Sequence, residues 1–153
     1  MALQLKIIGV LLMTLAFIHV FFPKYFTWKE DFRSLSLINR QMTIVHSFFI
    51  AFTVLLMGII CILDPEDMMN TRLGHYLAFG FFIFWLLRLL FQFFIYSPTL
   101  WKGRGFETCI HIAFSFLWSY LTIIFFLAYL NCPAVRNGLY LRIRSKLELR
   151  PPS

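Results

Sequence analysis

The stretch LGHYLAFGFFIFWLLRLLFQFFIY, residues 73–96, decides the fold. Arg88 is its only side chain with a fixed charge. The hydrocarbon layer of a bilayer is about 30 Å thick, so a helix crosses it with about 20 largely apolar residues. Three further runs meet this requirement, at 3–22, 42–63 and 106–130. Backbone N–H and C=O groups in lipid must be satisfied within the segment, so the runs are read as helices. A transmembrane barrel would instead show alternating segments of about ten residues. The expected fold is an all-α membrane protein, a four-span antiparallel helix bundle. It forms one domain over residues 1–153, with a basic tail over 131–153.

Composition supports the same reading. Of the 153 residues 60% are apolar and only 14% charged, and twenty are phenylalanine. Soluble domains are about a quarter charged, and a core of this size could not hide so much Phe, Leu and Ile. A proline follows each run, at Pro23, Pro65, Pro98 and Pro133. Proline cannot continue the amide ladder and disfavours helix before it, so each is read as a stop. The polar joints are then 24–41, 64–72 and 97–105. The first run is too long for a signal peptide and offers no small-residue cleavage pattern, so it is expected to be a retained helix. Cys61, Cys109 and Cys132 form no C-x-x-C, which leaves thiol-exchange chemistry without a basis. A pair between Cys61 and Cys132 and three free, packed thiols are the alternatives.

The net charge of +7 points to lipid rather than nucleic acid, because nothing resembles a recognition helix or a stacking platform. The tail segment LYLRIRSKLELR suits anionic headgroups, each basic residue contributing about 1 kcal/mol. Trp28, Trp101, Tyr25 and Tyr96 read as interfacial anchors. Gly58, Gly74 and Gly80 permit close helix approach, though no G-x-x-x-G is present. Association into an oligomer or a larger membrane complex is compatible with such a chain.

The chemistry lies in the polar residues inside the runs. His19, His46 and His111 each fall roughly 6 to 8 Å below a helix end on the side opposite the termini. Gln92 shares their depth and Arg88 lies one turn deeper, roughly 12 Å down; His75 belongs to the other surface. Helical spacing aligns Asn39, Thr43, His46, Thr53 and Met57 on one stripe, Glu107, His111, Ser115, Trp118 and Thr122 on a second, and Trp85, Arg88 and Gln92 on a third. Polar stripes in a membrane face a bundle interior or a water-filled cavity.

One reading is a metal site formed by His19, His46, His111 and Glu107. Neutral imidazoles with an open position suit Zn, Cu or Fe, and Glu107 serves as a ligand or orients a ring. A second is a b-type haem between two histidines, with Arg88 and Gln92 holding a propionate. Either would make the protein a cofactor-binding membrane protein, redox-active if the group is Cu, Fe or haem; whether it is an enzyme stays open. A third is a hydrogen-bonded packing layer in an accessory subunit. A fourth is a site where Arg88 binds a lipophilic anion, as in a small membrane transferase.

The segments NRQMTIVH (39–46) and RLLFQFFIY (88–96), with the size and span count, resemble arginine- and tyrosine-bearing segments of the four-helix membrane glutathione transferases and their eicosanoid relatives. That resemblance implies a four-helix fold and transferase chemistry. The asparagine and glutamate expected further along the second helix are missing, since residues 49–54 supply only apolar side chains and a threonine. No catalytic residue transfers. The haem-dependent protoporphyrinogen oxidases share the size without a matching motif.

Both termini are expected in the cytoplasm. Their side carries Lys6, Arg72, Arg136, Arg142, Arg144, Lys146 and Arg150, against Lys24, Lys29, Arg33, Arg40, Lys102 and Arg104 opposite. Cysteines introduced at Ser153 and Ser34 should react with an impermeant thiol reagent on intact cells only at position 34. Labelling at position 153 reverses the orientation.

Overall fold

The computed structural model describes residues 1–25, 35–95, 105–131 and 133, and for residues 20–25 and 107 only the backbone. The described residues form five helices: α1 Ala2–Tyr25, α2 Leu37–Leu63, α3 Pro65–Asn70, α4 Arg72–Phe94 and α5 Gly105–Leu130. No strand occurs among them. The fold is all-α, and α1, α2, α4 and α5 are each long and apolar enough to cross a membrane, as a four-span bundle requires. Large apolar side chains such as Phe17, Phe48, Phe94 and Phe116 stand uncovered by protein, which only lipid makes tolerable. The protein is a multi-pass integral membrane protein.

The chain divides into two compact units, Met1–Pro65 and Glu66–Ser153. The first contains α1 packed on α2. A Cβ placed on Gly58 would lie 2.9 Å from the Gly9 carbonyl oxygen and 3.0 Å from the Met13 side chain, and one on Gly9 would run into Ile62. The partner number falls along α2 as it rises along α1, so the helices are antiparallel. They cross with one glycine from each at the contact, which lets the backbones approach as small residues do in lipid. Gly58 therefore fulfils its expected role; its partner Gly9 stands alone in α1 and has no motif around it. Leu5, Ile8, Leu12, Leu15 and Ala16 form the buried stripe of α1, and Val54, Met57, Gly58 and Cys61 that of α2. Asn39, His46 and Thr53 lie outside the α2 stripe and are exposed.

Three expectations about the helices and their joints need correction. α1 continues past Pro23 to Tyr25, so Pro23 is not its stop. A proline in the last turn removes one hydrogen bond near an end where the ladder is already running out. The joint 64–72 is not simply a loop, because it contains α3. Asp64 ends α2, its N–H donating to the Ile60 carbonyl at 3.2 Å. It precedes a proline and sits at φ −130°, ψ 56°, outside the helical region as that position favours. Pro65 then starts α3, where its missing N–H costs nothing. α2 itself starts at Leu37 rather than Met42, because the Ser36 hydroxyl accepts from the Asn39 N–H at 3.4 Å and caps it.

In the second unit Thr71 joins α3 to α4. Its hydroxyl donates to the Asp67 carbonyl at 2.8 Å and accepts from the Gly74 N–H at 3.0 Å. Gly74 packs so close to the backbone of Asp67 and Met68 that no side chain fits there. α4 and α5 then run antiparallel along an aromatic ladder. The contacts are His75 with Tyr129, Phe81 with Phe125, Phe82 with Phe126, and Trp85 with Trp118. Phe93 with His111 closes the far end. Each ring pair adds about 0.5–1.5 kcal/mol beyond its area.

Gly58→Val should weaken the α1–α2 contact by about 1–3 kcal/mol, since the nearest atom to the new Cβ is the Gly9 backbone oxygen, which cannot swing aside as the Met13 side chain can. Gly80→Ala, with nothing within 4 Å of its Cβ, should be neutral or stabilising by up to about 1 kcal/mol. Unfolding of the two variants in mixed micelles, followed by circular dichroism, checks both.

Candidate functional site: a donor cluster between α4 and α5

A hydroxyl in lipid is most readily satisfied by the carbonyl one turn earlier in its own helix. α5 uses this device at Ser115, Ser119 and Thr122. Ser115 donates to the His111 carbonyl at 2.8 Å, Ser119 to Ser115 at 2.8 Å, and Thr122 to Trp118 at 2.7 Å. The stripe hydroxyls of Ser115 and Thr122 are thus satisfied within the helix. His19 and His46 use the same device, their Nδ1 lying 2.8 Å from the carbonyls of Leu15 and Met42. His75 crosses between helices instead. Its Nδ1 is 3.1 Å from the Tyr129 carbonyl, one of the last carbonyls of α5, which has no partner within its helix.

Three further polar side chains of the α4–α5 pair, Arg88, Gln92 and His111, converge. Arg88 Nη1 donates to Gln92 Oε1 at 3.3 Å, and Gln92 Nε2 lies 2.6 Å from His111 Nδ1. The Arg88 guanidinium also sits over the Trp118 ring, 5.0 Å from its centroid. Trp118 stacks on Trp85 at 5.1 Å and on Phe114 at 5.3 Å. Gln92 is buried while Arg88 and His111 are half-buried. On the same helix Leu87 and Phe91 are exposed.

Trp85 and Trp118 are 1% and 4% exposed, and their Nε1 atoms have no hydrogen-bond acceptor. A buried donor left without a partner costs about 1–3 kcal/mol. An indole cannot fold back to its own helix as a hydroxyl does, so this cost stands until an acceptor is supplied. Two such donors on stacked rings, beside a guanidinium, are a concentration of positive potential and hydrogen-bond donors in an apolar medium.

The structure brings together three of the residues expected to matter: Arg88, Gln92 and His111. His75 lies at the opposite end of the α4–α5 pair from His111, as its depth implied. His19 and His46 belong to the first unit. The Glu107 side chain, Cys132, Trp28, Tyr96, Trp101 and the basic tail over 134–153 lie outside the described residues. Cys61 is buried and free, and Cys109 is exposed and free. Among the described residues no group of three or more His, Cys, Asp or Glu side chains is gathered to hold a metal ion.

Sequence reasoning placed Trp85 and Trp118 on polar stripes without giving them a role. The usable signal was their matching depth on consecutive antiparallel spans, the same reasoning that paired Gln92 with His111. Compared with known proteins, the chain matches no family model, no curated sequence and no solved structure. The resemblance of 39–46 and 88–96 to the membrane glutathione transferases gains no support from these comparisons.

Proposed function

We propose that this membrane protein binds a lipophilic ligand with an anionic or strongly accepting headgroup at the α4–α5 cluster. The observation that carries the reading is the pair of buried, unpartnered indole N–H groups on rings stacked beside Arg88. Arg88 supplies the charge and the indoles the directed donors. The ligand reaches them from the lipid, past Leu87 and Phe91. The indole nitrogens are covered in this state, so binding requires the Trp85–Trp118 stack to open or slide. A transferase acting on such a ligand, or a carrier that only holds it, would use the same contacts.

A metal ion or b-type haem held by His19, His46, His111 and Glu107 is the second reading. One observation favours part of it. His19 and His46 each have Nδ1 bonded to a backbone carbonyl, the arrangement that orients a ring and puts the lone pair of the neutral imidazole on Nε2. An absorption spectrum with elemental analysis of the purified protein separates the readings: a Soret band marks haem, and stoichiometric Zn, Cu or Fe without one marks the metal site. A polar layer that serves only to hold helices together would bind none of these.

For the ligand reading, Trp28→Phe and Trp101→Phe leave Trp85 and Trp118 as the only tryptophans, excited selectively at the red edge of the absorption band. Titration of this variant in detergent with oleate should change its emission saturably, and methyl oleate should bind at least tenfold more weakly. Adding Arg88→Leu should lower oleate affinity about ten- to a hundredfold, the range expected for a charge-assisted hydrogen bond. Equal responses to oleate and its ester, unaffected by Arg88→Leu, would sink the proposal.

A further inference from the structure

The four histidines do not present the same chemistry. His19, His46 and His75 each place Nδ1 against a backbone carbonyl, at 2.8, 2.8 and 3.1 Å. A carbonyl only accepts, so Nδ1 carries the proton in all three, and a neutral ring then has its lone pair on Nε2. His111 differs because its Nδ1 meets a side-chain amide, 2.6 Å away, that could face it with either end.

Arg88 removes that freedom. A guanidinium has donors only, so the end of the Gln92 amide facing it must be the oxygen. The Arg88 Nη1 to Gln92 Oε1 bond at 3.3 Å is that contact. With the oxygen committed, Gln92 turns its NH₂ toward His111. An NH₂ only donates, so His111 Nδ1 must accept, and the proton of the neutral ring goes to Nε2. Three groups in sequence thus pass the polarity of one fixed charge to a ring on the neighbouring helix. Burial of Gln92 keeps water from offering an alternative partner.

We propose that Arg88 acts through Gln92 to lock His111 in the Nε2–H tautomer, so that Nε2 is a hydrogen-bond donor rather than a metal-ligating lone pair. Gln92 is the positioning residue. Its amide is spent on orienting its neighbours. This deepens the ligand reading and rests on it for what the donors bind. The tautomer itself is a property of the ligand-free protein and stands or falls separately.

The test is nitrogen-15 NMR of the full chain labelled at histidine, in detergent, at an alkaline pH where imidazoles are neutral. The signals are assigned by single His→Gln substitutions. His19, His46 and His75 should be protonated on Nδ1. His111 should show one tautomer, Nε2–H, rather than the mixture of a ring free to choose.

Gln92→Glu supplies the discriminating variant. A carboxylate accepts from both neighbours, so it should keep Arg88 and pull the His111 proton onto Nδ1, inverting the tautomer. Arg88→Lys, still a pure donor, should leave His111 as in the parent protein. A tautomer mixture or an Nδ1–H ring at His111 in the parent protein overturns the proposal, whether or not the variants fold. So does a His111 signal unchanged in folded Gln92→Glu. Failure of the oleate titration with the NMR result intact would discard the ligand and leave the lock.

Discussion

A hydrogen-bonding group buried in lipid has no water to turn to, and most of this structure follows from that constraint. Each polar side chain in a span needs a protein partner or carries an energetic cost. Thr14, Thr43, Ser115, Ser119 and Thr122 meet the constraint with a carbonyl one turn back in their own helix. His19 and His46 do the same with Nδ1. These residues look conspicuous in an apolar sequence, yet each has a local solution that asks nothing of a ligand. Arg88, Gln92, His111 and the two indoles are instead gathered on facing sides of α4 and α5.

Their gathering depends on the antiparallel pairing of those helices. The aromatic ladder sets the register, from His75 on Tyr129 at one end to Phe93 on His111 at the other. In that register Trp85 meets Trp118 and Gln92 meets His111 at adjacent levels. A guanidinium over a desolvated indole is worth about 2 kcal/mol or more, which helps to hold Arg88 inside the cluster. Fold and site therefore rest on the same contacts. The packing that aligns the helices also stacks the indoles so that their N–H groups find no acceptor.

Much of this is legible in the sequence, to differing depths. The four spans follow from hydropathy and length, and antiparallel order predicts that Gln92 and His111 share a level. Helix ends were less readable. Ser36 starts α2 early because a cap and a half-polar first turn are invisible to a hydropathy reading, and α3 is too short to register in it. Pro23 signals a stop that the last turn of α1 overrides. The glycine crossing was half legible, through Gly58 but not Gly9, because a motif within one helix says nothing of single glycines meeting across two. The unpaired indoles could not be read at all. Whether a donor finds an acceptor is settled by side-chain orientation in three dimensions.

The central claim is that the Trp85 and Trp118 N–H groups are held without partners, ready for an acceptor. Ultraviolet resonance Raman spectroscopy measures this directly, since an indole vibration shifts when its N–H becomes hydrogen-bonded. In the protein carrying Trp28→Phe and Trp101→Phe, the band should mark two unbonded indoles without ligand and shift toward the bonded position on adding oleate. A band already at the bonded position in the ligand-free protein would contradict the account.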